Sequence, residues 1–305
     1  MRERVVTFGD ANTLVGILTE AEGRDAASGM PGVLILNSGI LHRVGANRLH
    51  VRMARRLADR GFTALRFDHA GIGDSGARRD DRPFRESAIE EVRAAMDLLH
   101  RTRGHDRFLL AGLCSGSDAA FWTALEDPRV CGLIQLDPFL YRTPRFRVRH
   151  YLPRLLSPRA WVRSVSSRFT HWLRDRRARR EGAEMGMDWT APQYTRIFPP
   201  RAEVAHGLSE LAGRGVSFFV FISGSMTEYV NYPEQYRESF PEVAFGDRLQ
   251  VTYRPQADHT ITDLEEQGRV LTSIEEWAAS RWPAPGHDEA SALSTGSSHP
   301  HPQEA

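Results

Sequence analysis

The feature that most constrains the fold is a recurrence of short, nearly continuous apolar stretches: RVVTF (4–8), TLVGILTE (13–20), GVLILNSG (32–39), FTALRFD (62–68), RFLLAGL (107–113), CGLIQLD (131–137), VSFFVFISG (216–224) and LQVTYRP (249–255). Strands that alternate apolar and polar residues bury one face; runs without alternation fit strands covered on both faces, as in a parallel sheet between two helical layers. Helix-period segments fall between them. In RLHVRMARRLADRG (48–61), Leu49, Met53 and Leu57 share a face and Gly61 supplies the stop. Further helices are expected near 87–103 and 115–126. The order ββ followed by βαβαβαβ predicts an α/β fold with an eight-stranded, mostly parallel sheet, helices on both faces and an antiparallel pair at its start.

Thr262 and Glu265 have capping-box spacing ahead of an apolar face of Leu264, Leu271, Ile274 and Trp277, which predicts a final helix. About 75 residues separate the sixth stretch from the seventh, too many for one crossover helix, so an inserted helical element is expected there. The predicted organisation is a core of residues 1–140 and 214–282, an Arg-rich helical insertion over 141–213, and a Pro, Ser, Gly and His-rich tail over 283–305 that is expected to be disordered.

Charge and cysteine usage narrow the function. The 40 Lys and Arg residues against 39 Asp and Glu leave a net charge of +1, which argues against a nucleic-acid binder. All the basic residues are arginines, and residues 141–181 carry 13 of them against Asp175 and Glu181. A solvated helix face accounts for these as well as an anion site does. On the second reading Arg142, Arg145, Arg147 and Arg149 attract CoA phosphates or the phosphopantetheine of a carrier protein. Trp161, Phe169, Trp172 and Leu173 interleave with the arginines, but contact with a membrane is not the expected use of this face. With no run of 18 apolar residues and no apolar core in MRERVVTFGD, a soluble, cytoplasmic chain is expected. Cys114 and Cys131 are the two cysteines, and neither a CxxC pair nor HExxH accompanies them. Reduced thiols are therefore expected, with no metal and no cofactor.

The chemistry concentrates in Gly112-Leu113-Cys114-Ser115-Gly116, a G-x-C-x-G sequence between a predicted strand and a predicted helix, the context of a nucleophile elbow. Small flanking residues let the chain turn sharply beneath the central side chain. The helix start directs free N–H groups at the thiol and favours its anion. A base is still needed, because a free thiol near pKa 8.5 is only slightly ionised at pH 7. His259, in RPQADHTITD, follows the last strand and precedes the last helix, which puts it at the same sheet edge. The orienting acid should lie between the two in chain order. Glu228, after the seventh strand, is preferred over Asp137, at the end of the sixth. Oxyanion donors are expected from the Ser115 backbone and from Gly39 or Ile40 in NSGILHRVG. His42, Arg142 and Arg145 are weaker candidates for substrate contact. Asp68 and Asp74 are read as shaping a turn, Asp118 and Asp263 as carboxylates at helix starts, and Cys131 as packing.

These residues together resemble the α/β-hydrolase superfamily over about residues 4–282. RFDHAGIGDSG (66–76) is similar to a turn of the lysophospholipase and serine-aminopeptidase branch. The resemblance implies that the insertion caps the site. It also marks a departure, cysteine in place of serine, shared with dienelactone hydrolases, polyhydroxyalkanoate synthases and some polyketide-associated thioesterases or acyltransferases. The expectation is an acyl hydrolase acting on a small-molecule ester or thioester through a Cys-His-acid triad. Acyl transfer to an amine or alcohol and non-catalytic ligand binding are the alternatives.

Overall fold

A computed structural model describes residues 1–22, 29–78, 81–155 and 196–284. All eight apolar stretches contain strands: β1 (Arg2–Phe8), β2 (Leu14–Glu20), β3 (Gly32–Leu36), β4 (Ala64–Phe67), β5 (Phe108–Leu113), β6 (Val130–Leu136), β7 (Ser217–Ser223) and β8 (Leu249–Arg254). They form one sheet in the order β1-β2-β4-β3-β5-β6-β7-β8. β2 is antiparallel to both β1 and β4, and the pairs from β4 onward are parallel.

The helices are α1 (Leu49–Asp59), α2 (Phe84–Arg103), α3 (Ser115–Glu126), α4 (Pro144–Leu155), α5 (Arg201–Gly213), α6 (Gln235–Ser239) and α7 (Leu264–Arg281). The unbroken apolar strands divide by period two into two cores. Leu34, Leu36, Leu110, Phe218, Val220 and Ile222 join the cluster formed with α2, α3 and α5. Val33, Ile35, Leu109, Ala111, Phe219 and Phe221 join the cluster formed with α1 and α7. Strands β3 to β7 thus contribute side chains to both layers, whereas β1, β2 and β8 face only the first cluster.

Two details differ from the sequence reading. Residues 201–213, expected within the insertion, form α5, whose Val204, Leu208 and Leu211 are buried in the first core cluster. At Gly207 a Cβ would stand 2.7 Å from the Phe121 ring, so the glycine lets α5 and α3 approach closely. The start of α7 also lies one residue later than expected. Asp263, not Thr262, caps it by accepting the N–H groups of Glu265 and Glu266. The Thr262 hydroxyl is instead turned to that of Thr260 at 3.1 Å, and its N–H goes to Asp258 at 2.9 Å.

Residues 156–195 of the expected insertion, including Trp161, Phe169, Trp172 and Leu173, and the tail over 285–305 lie outside the described residues. Among the described residues, no helix is long and apolar enough to cross a membrane.

The backbone also approaches closely where β5 runs into α3. A Cβ at Gly112 would lie 2.2 Å from the Gly116 carbonyl carbon, and one at Gly116 would lie 2.5 Å from the Asn37 carbonyl oxygen. Gly112→Ala is expected to lower stability by about 3 kcal/mol through backbone displacement, read as a lower midpoint in urea unfolding.

Candidate active site

Three loops at the carboxyl edge of the parallel strands build the site. Leu113 of β5 pairs with Leu136 of β6, so Cys114 and Asp137 leave the sheet side by side. The ladder extends one bond further at each position: the Cys114 N–H donates to the Leu136 carbonyl at 2.9 Å, and the Asp137 N–H to the Phe221 carbonyl at 2.8 Å. Both residues then turn with left-handed backbone, φ being 57° at Cys114 and 48° at Asp137. At Cys114 ψ is −117°, the strained strand-to-helix turn of an elbow.

His259 reaches the site from the loop after β8. Its Nδ1 is 2.6 Å from Asp137 Oδ2, and its N–H donates to the Ser225 hydroxyl at 2.9 Å. Its ring is also hydrogen-bonded to Cys114. Asp137 is fully buried, and Ser223 holds its carboxylate: the Ser223 N–H donates to Oδ1 and the Ser223 hydroxyl to Oδ2, both at 2.7 Å. Cys114, His259 and Asp137 thus form one hydrogen-bonded chain.

Glu228, the carboxylate preferred from the sequence, is not part of that chain. It is exposed, and its backbone carbonyl accepts from Arg142 Nε at 2.7 Å. The difference is one of register: Asp137 sits at the tip of the strand next to the elbow, whereas Glu228 lies five residues beyond the end of β7. Ser223 carried no sequence signal apart from its place at the end of a strand neighbouring β6.

The protonation states follow from these contacts. Burial pushes the Cys114 thiol up, but the His259 hydrogen bond and the charges of Arg196 and His259 outweigh it and hold the thiol below its usual range. The hydrogen bond to Asp137, then that to Cys114, pushes His259 up to about 10 against the opposing effect of burial. Each group thus shifts the other toward its charged form, the thiol toward the anion and the imidazole toward the cation. Cys131 contrasts with this, since burial pushes its thiol up to about 11.

Of the expected oxyanion donors, Ser115 opens α3, so its N–H has no partner within the helix. The Gly39 N–H is aimed at the same place and donates to the Ser115 hydroxyl at 2.7 Å. Ile40 is 91% exposed. A network that the sequence reading missed fixes this loop. Arg43 donates its backbone N–H to Asp68 Oδ1 at 2.5 Å, and its guanidinium bridges Asp68 and Asp74. Asn37 completes it by accepting the His69 N–H at 2.8 Å. Asp68 and Asp74 therefore shape their own turn and also tether the loop after β3.

The weaker candidates lie further out. His42 is exposed, and its Nδ1 accepts the Val44 N–H at 3.4 Å. Arg145 is paired with Glu238 at 2.7 Å. Arg142 lines an open cleft of about 710 Å³ together with Phe146, Arg149, Thr227, Glu228 and Asn231. Among the described residues no group of His, Cys, Asp or Glu side chains is arranged to hold a metal ion.

Strand order, elbow and the loop placement of His259 define an α/β hydrolase. Residues 32–188 match the serine aminopeptidase S33 family, and the chain belongs to that family. Among solved structures it is similar to an esterase from Pyrococcus furiosus, with 17% identity over 92% of this chain and 90% of that one and a TM-score of 0.57. A putative α/β hydrolase from Agrobacterium tumefaciens is 14% identical over 92% of this chain and 96% of that one, with a TM-score of 0.54. A serine hydrolase without a lid from Xanthomonas campestris is 15% identical over 94% of this chain and 97% of that one, with a TM-score of 0.51. No curated protein matches the chain in sequence.

The contrast between the two thiols is directly measurable. Iodoacetamide at pH 7 is expected to modify Cys114 more than about tenfold faster than Cys131, because the thiolate is the reacting form, as followed by peptide mass spectrometry. Asp137→Asn is expected to bring the His259 titration, read from its ring NMR signals, down from about 10, and Glu228→Gln to leave it in place.

Proposed function

We propose that the protein is an acyl hydrolase in which Cys114 is the nucleophile, His259 the acid and base, and Asp137 the orienting carboxylate. The observation that carries this reading is the single hydrogen-bonded chain Cys114–His259–Asp137 seated on an elbow. The Cys114 thiolate attacks the carbonyl carbon of an ester or thioester, and the carbonyl π electrons move to oxygen. The Ser115 and Gly39 N–H groups stabilise that oxyanion once the Ser115 hydroxyl gives up its bond from Gly39; each such donor is worth about 3 kcal/mol in the transition state. Collapse breaks the bond to the leaving group, which takes the proton of the His259 imidazolium, and a thioester acyl-enzyme remains. Neutral His259 then deprotonates water. The hydroxide attacks the thioester, the carbon–sulfur bond breaks, and Cys114 departs as thiolate beside a restored imidazolium.

Acyl transfer is the second reading, and the cysteine itself favours it, because a thioester intermediate is captured by amines and alcohols more readily than an oxygen ester. Its first half is identical and only the acceptor differs. For the donor, the cleft carrying Arg142 and Arg149 supports an anionic carrier such as CoA or phosphopantetheine, while Arg145 is already neutralised by Glu238. In this reading α4, which supplies Arg145 and Arg149 and follows Arg142, is part of a cap formed by the insertion between β6 and β7. A thiolate nucleophile accords with a reducing, cytoplasmic setting.

Intact-mass spectrometry with p-nitrophenyl esters and acyl thioesters is expected to show one acyl group added at Cys114. Loss of that adduct in water supports hydrolysis; loss only on adding an amine or alcohol supports transfer. Cys114→Ala is expected to abolish the adduct. His259→Ala and Asp137→Asn are expected to slow acylation by about 10³-fold or more, and Glu228→Gln to leave it unchanged. A folded protein that binds these compounds and never acylates would instead be a ligand-binding relative.

A further inference from the structure

Arg196 lies just ahead of α5, outside every motif that the sequence made conspicuous. Its Nε donates to Asp118 Oδ2 at 2.7 Å, its Nη2 also bonds that carboxylate, and its Nη1 donates to the Asp137 carbonyl at 2.9 Å. The guanidinium carbon is 5.2 Å from the Phe139 ring centroid and 4.9 Å from that of Phe198. Its side chain is 13% exposed and that of Asp118 17%. Asp118 stands in the first turn of α3, and its N–H donates to the Cys114 carbonyl at 3.1 Å. One side chain thus links the backbone of the acid residue to the first helical turn after the nucleophile.

The guanidinium edge used for bidentate recognition is already occupied by Asp118, and the Phe139 and Phe198 rings pack near the cation. The geometry therefore does not suit Arg196 for gripping a substrate carboxylate. An isolated Asp118–Arg196 pair is also an expensive stability device, since burying two charges costs about what their attraction returns. What distinguishes the pair is where it sits, between the Asp137 backbone and the first turn of the helix that follows Cys114.

We propose that Arg196, held in place by Asp118, is a positioning residue that keeps the Cys114 sulfur anionic while fastening the Asp137 loop to the start of α3. The proposal rests on Cys114 being the nucleophile. The principal charged groups acting on the sulfur are His259, Arg196 and Asp118; Arg196 and His259 favour the thiolate and Asp118 opposes it. The Arg196 contribution is the larger of the opposed pair, so the pair as a unit favours the anion. Asp118 holds the cation in place and moderates its field.

The opposed signs supply a test that a purely structural role would not pass. The readout is the acid limb of the pH profile for iodoacetamide alkylation of Cys114, followed by peptide mass spectrometry, with fold checked by circular dichroism. Arg196→Gln is expected to move the limb up by about one pH unit, the size of shift one nearby charge produces. Asp118→Asn is expected to move it down, and Arg196→Lys to restore most of the wild-type profile. If Arg196→Gln does not fold, Asp118→Asn carries the test, because a downward shift is opposite to the effect of a loosened site. Shifts in the same direction for both variants, or no shift in either, would overturn the proposal. Such a result leaves the acyl-enzyme reading standing, because alkylation does not depend on turnover. Failure to acylate Cys114 would count against that reading alone.

Discussion

The hydrogen bond between His259 and Asp137 depends on β6 lying between β5 and β7. The Leu136 carbonyl anchors the Cys114 N–H, and the Phe221 carbonyl anchors the Asp137 N–H. Three adjacent parallel strands therefore set the separation of Cys114 and Asp137, the proposed nucleophile and acid, before any side chain is considered. Left-handed backbone at a residue other than glycine costs about 1–3 kcal/mol, and both residues adopt it. The surrounding structure compensates each of them. Gly112 and Gly116 leave room under the elbow, and Ser223 satisfies both oxygens of the Asp137 carboxylate.

The electrostatics follow from that scaffold. A buried carboxylate needs a partner, and the His259 ring meets one of its oxygens while facing the sulfur with its other side. A thiolate placed against an imidazolium and the first turn of α3 is stabilised by both. This differs from an elbow serine, whose proton leaves only as attack proceeds. In the proposed mechanism, a thiolate formed before attack moves the demand on the site to protonating the leaving group and later activating the acceptor. His259, at about 10, is a good reservoir for the first proton. In the same proposal it becomes a base once the acyl group has removed the negative charge from the sulfur.

The oxyanion loop has its own support on the other side of the elbow. Arg43 ties it to Asp68 and Asp74, and Asn37 ties it to the His69 backbone. A close approach makes glycine necessary in this turn, since a Cβ at Gly73 would fall 2.3 Å from an Asp68 carboxylate oxygen. The DHAGIGDS segment thus buries the Asp68 carboxylate toward the loop that carries Gly39, while the more exposed Asp74 reaches the same Arg43 guanidinium.

The sequence by itself determined the strand count, the layering and the loops on which Cys114 and His259, the proposed nucleophile and base, sit. Apolar periodicity and the Gly spacing around Cys114 are local properties, and local sterics enforce them. For the orienting carboxylate it favoured Glu228 over Asp137, although both follow strands in permitted chain order. Spatial adjacency decided between them: the strand pairing puts Asp137 beside Cys114 and leaves Glu228 exposed on a cleft wall. Arg196 and Arg43 were invisible for the same reason. Each is one arginine among 40 basic residues, and its role comes from partners 78 residues away at Asp118 and 25 residues away at Asp68. Long-range pairing of charges is fixed by how the layers close, which no local pattern encodes.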